Sequence, residues 1–191
     1  MPRPRDVIAK RPSILFVGIN PGATSGKVGH HFAGPGNPFW KLLHAAKLTP
    51  IELTAAEDGR LPEFGYGLVN LCARPTKTAA ELSRKELQRG RELLHEKIRE
   101  MKPAVVALVG VTLYPLVLGL KGKLVHPGAG PKPQTIEGAR VFVVPNPSGL
   151  NASFPSFAAK LPWFEALRDY AGVARARAAS GTSGQPSPRS K

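Results

Sequence analysis

The sequence is poor in acidic residues. Its 13 aspartates and glutamates stand against 27 lysines and arginines, which gives a formal net charge of +14. Four of the positive charges lie in residues 172–191, which hold no acid, so the remainder still carries +10. Solubility does not require so one-sided a balance. The excess favours a polyanionic partner, most often a nucleic acid.

Cysteine and long apolar runs are scarce as well. The single cysteine, Cys72, excludes an internal disulfide framework and is compatible with a reducing cytoplasm. No apolar run approaches the length of a membrane-spanning helix, and the basic N-terminus lacks the apolar core of a secretory signal. We therefore expect a cytoplasmic protein, and 191 residues are most simply one domain.

Short apolar runs alternate with helical patterns along the chain. The runs at residues 14–18, 67–71, 104–110 and 140–145 are bounded by Gly, Pro or Asn, which is typical of buried strands. Helices are predicted for residues 37–47, 83–101, 111–118 and 156–170, the second opened by a Ser83/Glu86 capping box. The alternation predicts an α/β fold with an open, mostly parallel sheet covered on both faces.

Both ends of the chain differ in composition from this region. We predict a basic N-terminal arm at residues 1–12, a folded domain at residues 13–171, and a disordered basic tail at residues 172–191.

The glycine-rich segment GINPGATSGKVGHHFAGPGN, residues 18–37, follows the first predicted strand directly. Ligands of open α/β sheets bind beyond this end of the strands. A phosphate loop is excluded, because Pro21 stands at its first glycine position and Val28 at its hydroxyl position. His30 and His31 are adjacent and point to opposite sides of an extended chain, which disfavours a shared metal. We expect no metal and no other cofactor.

A pocket for a flat, neutral group remains. The amide of Asn20 can orient a water molecule without bringing charge, and Phe32 offers a ring for stacking. The glycines let the main chain approach a ligand closely. Two plainer alternatives stay open at this point: Asn20 as a turn residue before proline, and Phe32 as an ordinary core residue.

Four segments resemble one known family. GINPG follows the first strand, GHHFAGPGNPFWKLL comes next, LCARPTKTAAELSRKEL lies in the middle, and NPSGL follows the last strand. Together they resemble the mismatch-specific uracil/thymine-DNA glycosylases, family 2 of the uracil-DNA glycosylase superfamily. The resemblance spans residues 14–170. It implies a three-layer αβα sandwich around a mostly parallel sheet of four to five strands. It also implies a base-excision repair enzyme that flips a base from mismatched duplex DNA and hydrolyses its N-glycosidic bond.

The resemblance also implies a role for individual residues. Asn20 would position the attacking water, Phe32 would stack on the base, and main chain at Ile19 and Phe32 would read the edge of the base. The rest of the base pocket would be formed by Ser25, His31 and Asn146. Contacts to DNA would come from Ser148, Gly149, Leu150, Asn151, Lys27 and Arg74, with Leu150 filling the space left by the flipped base. For Lys27 and Arg74 a solvated surface charge stays an alternative, as does a helix cap for Ser148.

The sequence departs from the family at a few positions. Ala73 stands where the family often has an acidic residue, and Ala152 stands where a bacterial relative has arginine. The His30-His31-Phe32 run is similar to the eukaryotic thymine-processing branch, in which the last position is tyrosine. The base preference therefore stays open.

The expected partner is duplex DNA with G:U or related mispairs, bound by a monomer that is nucleoid-associated if the source is a bacterium. Two alternatives are a noncatalytic DNA-binding module on a degenerate glycosylase scaffold and a nucleoside N-glycosidase.

Overall fold

A five-stranded sheet forms the centre of the part of the chain that the computed structural model describes, residues 3–120, 128–148 and 153–173. Its strands are β1 Ile14–Gly18, β2 Tyr66–Asn70, β3 Val105–Val109, β4 Gly130–Ile136 and β5 Ala139–Val144. They lie in the order β2-β1-β3-β5-β4, and β4 runs antiparallel to β5 while the other pairs are parallel. The predicted α/β fold with a mostly parallel sheet is confirmed.

Helices cover both faces of this sheet. They are α1 Ala23–Val28, α2 Phe39–Ala45, α3 Arg84–Met101, α4 Leu113–Leu118 and α5 Phe157–Ala171, with 3-10 helices at Ala55–Phe64 and Ala79–Glu81. Side chains alternate along β1, so Phe16 packs in one core layer with α2 and α5, and Leu15 in the other with α3 and α4. The result is the three-layer αβα sandwich that the resemblance implied.

The longest helix begins and ends where the sequence indicated. Ser83 Oγ accepts a hydrogen bond from Glu86 N at 3.2 Å, and the Glu86 carboxylate accepts one from Ser83 N at 2.9 Å. This reciprocal capping box satisfies two N–H groups that have no partner within the helix. Lys102 closes α3 in the left-handed conformation, with φ of 50°. Pro103 follows and cannot continue the helix.

Helix α1, strand β4 and the two 3-10 helices were not predicted, and the first two have a clear physical reason. Helix α1 contains Gly26, a poor helix former, but the missing side chain lets the helix pack directly against Pro75. Strand β4 contains Pro131 and Pro133, which normally argue against a strand. Because β4 lies at the edge of the sheet, it has no second neighbouring strand that would require the N–H groups that these prolines lack.

The N-terminal segment packs against the sheet. Val7 exchanges backbone hydrogen bonds of 2.8 and 2.9 Å with Leu68 of β2, and its side chain is buried. Arg11 N donates to Met101 O at the end of α3. The segment that we expected as a basic arm thus covers the edge strand β2, which would otherwise expose unpaired backbone groups. The predicted disordered tail lies, from residue 174 onward, outside the described residues.

The carboxyl ends of β1, β2, β3 and β5 meet at one edge of the sheet. From β1 the chain returns to the sheet on one side as β2 and then on the other side as β3. Open α/β sheets bind their ligands at such a reversal, outside the carboxyl ends of the strands. The fold therefore directs attention to the loops that follow Gly18 and Asn70 and to the segment after Val144.

Candidate active site

A pocket of about 430 Å³ opens at this edge of the sheet. Its lining includes Gly18, Ile19, Asn20, Ser25, His31, Phe32, Asn70, Thr76, Asn146 and Ser148. The structure thus brings together seven residues for which the sequence predicted a role in the site, although they come from segments more than 100 positions apart.

The side-chain nitrogen of Asn20 is held by three oxygen atoms. Nδ2 lies 3.1 Å from Pro21 O, 3.0 Å from Arg74 O and 2.7 Å from Thr76 Oγ1. The hydroxyl of Thr76 donates its own proton to Thr78 O at 2.7 Å, so toward Asn20 it can only accept. Carbonyl oxygens also only accept. The orientation of the Asn20 amide is therefore determined, because only its NH₂ group can face this set.

The opposite atom of the same amide, Oδ1, has no hydrogen-bond partner among the described residues. Asn20 is thus more than a turn residue that bonds its own backbone, since two of its three partners come from the loop after β2. Asn20 therefore offers the pocket one neutral acceptor, Oδ1, whose position is set by the three hydrogen bonds of Nδ2. Such an acceptor can align a water molecule but cannot take its proton at neutral pH.

An ion pair holds the loop after β2 against α3. Arg74 Nε donates to Glu86 Oε1 at 2.5 Å. Its Nη2 donates to Glu86 Oε2 at 3.0 Å and to Glu81 O at 2.8 Å. These hydrogen bonds from Arg74, with those of the Ser83 cap, lower the pKa of Glu86 to about 2. Arg74 is therefore not a free surface charge. Its carbonyl supports Asn20, and its predicted contact with DNA stays a prediction.

Phe32 also lines the pocket and has φ of 51°, a conformation that few residues other than glycine adopt. Its ring stacks on Phe39, with centroids 4.0 Å apart and an interplanar angle of 23°. The backbone N–H of Phe32 has no acceptor in the described part of the chain, whereas the next one, Ala33 N, donates to Ser25 Oγ at 3.0 Å. Ser25 thus shapes the pocket from a buried position.

His31 lines the pocket but is buried, only 2% exposed. Its Nε2 lies 2.9 Å from Arg5 O, which can only accept, so Nε2 carries the proton. Burial lowers the pKa of His31, despite opposing hydrogen bonding from Arg5 and the nearby Asp58 charge. The neutral ring leaves Nδ1 as an acceptor, and Asn70 Nδ2 donates to it at 3.3 Å. The oxygen of the Asn70 amide must then point the other way.

Two polar residues next to the predicted site residues, Asn70 and Asp58, were not among those predicted from the sequence. Asn70 Oδ1 lies so close to Gly18 that a β-carbon added to Gly18 would come within 2.5 Å of it. The pocket wall thus carries an acceptor from Asn70, and Phe32, whose N–H is unused, lines the same pocket. Asp58 bonds both His30 and His31, although no acid is near them in the sequence. The position of Asn70 at the end of a strand could have indicated a place in the site, but nothing in the sequence around Asp58 indicates one.

The remaining predicted residues fall in three places. Ile19 O accepts from Cys72 N at 2.8 Å, so this carbonyl already has one partner. Asn146 Oδ1 accepts from Ser148 N at 2.9 Å and orders the loop after β5. Helix α5 is capped by Ser156, so Ser148 is not its cap.

Lys27 is exposed at the end of α1, outside the pocket lining. Gly149, Leu150 and Asn151, together with Ala152, lie outside the described residues.

The buried neutral His31 predicts a dependence of stability on pH. Because folding lowers its pKa, the unfolded chain binds this proton more readily, so the contribution of His31 is complete above about pH 6.5 and is lost as the pH falls. We expect the free energy of unfolding of the wild type to fall between pH 7.5 and 5, and that of His31→Gln to fall less. Urea unfolding at several pH values measures both. Parallel curves for the two proteins would contradict the prediction.

Two features are absent from the part of the chain that the structure describes. Within residues 3–120, 128–148 and 153–173, no group of three or more His, Cys, Asp or Glu side chains is placed to hold a metal ion. Over the same ranges, no helix is long and apolar enough to cross a membrane.

Comparison with known proteins gives results in agreement with the fold. The family model of the uracil DNA glycosylase superfamily matches residues 5–168. A Schizosaccharomyces pombe protein named G/U mismatch-specific uracil DNA glycosylase is 37% identical over 156 residues, which are 78% of this chain and 48% of that protein. The chain thus spans about half the length of this curated relative.

The fold has a solved counterpart. The solution NMR structure of a Methanosarcina acetivorans protein superposes on this chain with a TM-score of 0.58. That protein is described, only provisionally, as a uracil DNA glycosylase. The alignment covers 88% of this chain and 96% of the other, at 20% sequence identity. A likeness at this identity shows that the two chains share a fold.

Proposed function

This chain belongs to the uracil DNA glycosylase superfamily, and from that premise we propose that it is a monofunctional DNA glycosylase of the mismatch-specific branch. It flips uracil out of mispaired duplex DNA and hydrolyses the bond between the base and C1′ of the deoxyribose. Water supplies the hydroxyl group that joins C1′, and the departing base takes up a proton. The products are a free base and an abasic site.

The orientation of Asn20 is the observation that carries this proposal. Its Nδ2 is occupied by three acceptors, which leaves Oδ1 to align a water molecule beside C1′ of a bound nucleotide. None of the described residues that line the pocket is an aspartate or a glutamate. The reaction therefore depends on a sugar that develops positive charge before water attacks, which suits a neutral residue that only positions the water.

The departing base is stabilised from the other side of the pocket. Negative charge grows on the pyrimidine as the bond breaks, and a fixed N–H donor aimed at a base oxygen lowers the energy of that state. Phe32 N–H is the available donor, and Asn70 Oδ1 is an acceptor in the same pocket. Uracil and thymine carry an N3–H between two carbonyl oxygens and match this donor and acceptor pair. Cytosine lacks that N–H, so the pocket discriminates against it.

Binding to DNA follows from the charge of the chain. A net charge of +14 attracts the phosphate backbone, and this part of the affinity falls steeply with salt. Flipping is least costly at mispairs, which favours G:U over paired substrates. Leu150 fills the space that the base leaves, and Ser148, Gly149, Asn151, Lys27 and Arg74 contact the DNA. The enzyme acts as a monomer, and in a bacterium it would lie at the nucleoid.

Base release from a panel of substrates tests the proposal. Duplexes with G:U, G:T, G:ethenocytosine and deaminated purines, together with free deoxyuridine, are incubated with excess enzyme, and the released base is quantified by chromatography. We expect release from G:U, none from G:C, and none from the free nucleoside. Binding without release from any duplex would favour the noncatalytic module, and release from free deoxyuridine would favour a nucleoside N-glycosidase.

A further inference from the structure

Asp58 is an acidic residue buried beside the pocket but absent from its lining. It lies on the 3-10 helix Ala55–Phe64, and only 9% of it is exposed. One carboxylate oxygen, Oδ1, lies 3.2 Å from His30 Nδ1, and the other, Oδ2, accepts a hydrogen bond from the backbone N–H of His31 at 2.9 Å. The carboxylate thus bonds both residues that immediately precede Phe32, His30 through its side chain and His31 through its backbone.

Other contacts hold the same segment from different directions. Trp40 Nε1 donates to His31 O at 3.3 Å, and Ala33 N donates to Ser25 Oγ at 3.0 Å. Among the N–H groups of residues 31–33, the flanking two are bonded inside the protein, and that of Phe32 has no acceptor in the described part of the chain. This N–H belongs to a residue with φ of 51°, a conformation that persists only where surrounding contacts enforce it.

We propose that Asp58 is a positioning residue, which holds the backbone at His31 so that the N–H of Phe32 donates to an oxygen of the departing base. This inference rests on the proposed function. The hydrogen bond from His31 N to a carboxylate is charge-assisted and therefore stronger than one to a neutral acceptor. Without it, the left-handed conformation of Phe32 can relax, and the donor moves away from the place where negative charge develops.

The proposal makes a specific prediction about the leaving group. A donor that stabilises charge on the base contributes most when the base leaves with difficulty. The fluorine of 5-fluorouracil withdraws electrons and already stabilises the departing anion. Loss of the donor should therefore slow uracil release more than 5-fluorouracil release. A general loosening of the fold would slow both in the same proportion.

The test compares Asp58→Ala with the wild type on matched duplexes that carry uracil or 5-fluorouracil opposite guanine. With enzyme in excess, we expect the single-turnover rate constant for uracil to fall by about 10²-fold, the usual effect of losing one such donor, and that for 5-fluorouracil to fall at least about threefold less. The dissociation constant for duplex DNA should change little. Asp58→Asn keeps an amide oxygen that can accept from His31 N, so it should retain most of the activity.

Glu57→Ala is the matched control, because it removes the adjacent carboxylate, which caps the same 3-10 helix through Thr54. Its ratio of uracil to 5-fluorouracil rates should equal that of the wild type. Equal losses on both bases in Asp58→Ala, or no loss at all, would overturn the inference while leaving the proposed function intact. A wild type that releases neither base would instead overturn the proposed function.

Discussion

Replacement of Asn20 by alanine is expected to slow uracil release from a G:U duplex by about 10³-fold or more, while duplex binding changes little. The variant loses Oδ1, the only side-chain atom in our account that aligns the water, and alignment of reacting groups is among the largest sources of enzymatic acceleration. It leaves intact the positive charge that attracts DNA. Single-turnover kinetics on a G:U duplex measure the rate, and an electrophoretic mobility shift measures binding.

The surroundings of Asn20 also predict that aspartate does not replace it. In Asn20→Asp, a carboxylate oxygen would face the carbonyls of Pro21 and Arg74, to which the native Nδ2 donates at 3.1 and 3.0 Å. Acceptors that face one another repel, so the side chain must turn or bind a proton. We expect Asn20→Asp to be impaired at pH 7, although a carboxylate is the stronger base. Wild-type rates in either variant would contradict the role given to the amide.

Gly18→Ala is expected to reduce kcat for uracil release by about 10²-fold, the loss that a displacement of about 1 Å can cause in an active site. The new β-carbon would lie 2.5 Å from Asn70 Oδ1 and 3.6 Å from Phe32 Cζ. Asn70 must then move away from His31, to which its Nδ2 is bonded at 3.3 Å, and the acceptor at the pocket wall is lost. The conformation of Gly18 is not left-handed, so alanine causes no backbone strain.

A double-mutant cycle isolates this cause. If the loss in Gly18→Ala comes from displacement of Asn70, the same substitution made in an Asn70→Ala background should cost little more than Asn70→Ala alone. Gly59→Ala serves as the control, because a β-carbon there meets no atom within 4 Å. Strictly additive losses at the two positions would show that Gly18→Ala acts through another contact.

The sequence was most informative where a pattern is local. The apolar run of β1 and the Ser83/Glu86 box of α3 each lie within a few residues, so their strand and helix could be predicted closely. It was less informative where a distant residue decides. Helix α1 forms around Gly26 because Pro75 packs there, and the N-terminal segment is ordered by its pairing with Leu68.

The same distinction between local patterns and distant contacts applies to the residues of the candidate site. Asn20 and Phe32 could be proposed from a strand end and a glycine-rich loop, but the sequence could not show what orients them. That depends on Arg74 and Thr76, more than 50 positions from Asn20, and on Asp58, which lies 27 positions from His31. Contacts of this kind arise from tertiary packing, and no spacing rule in the sequence encodes them.

The most direct test of the central claim is the time course of free uracil released from a G:U duplex by excess enzyme. We expect that the wild type releases one uracil per duplex and leaves an abasic site, while Asn20→Ala binds the same duplex and releases almost none on that time scale. Wild-type enzyme that binds the duplex without releasing uracil, or Asn20→Ala that releases it at the wild-type rate, would contradict the account.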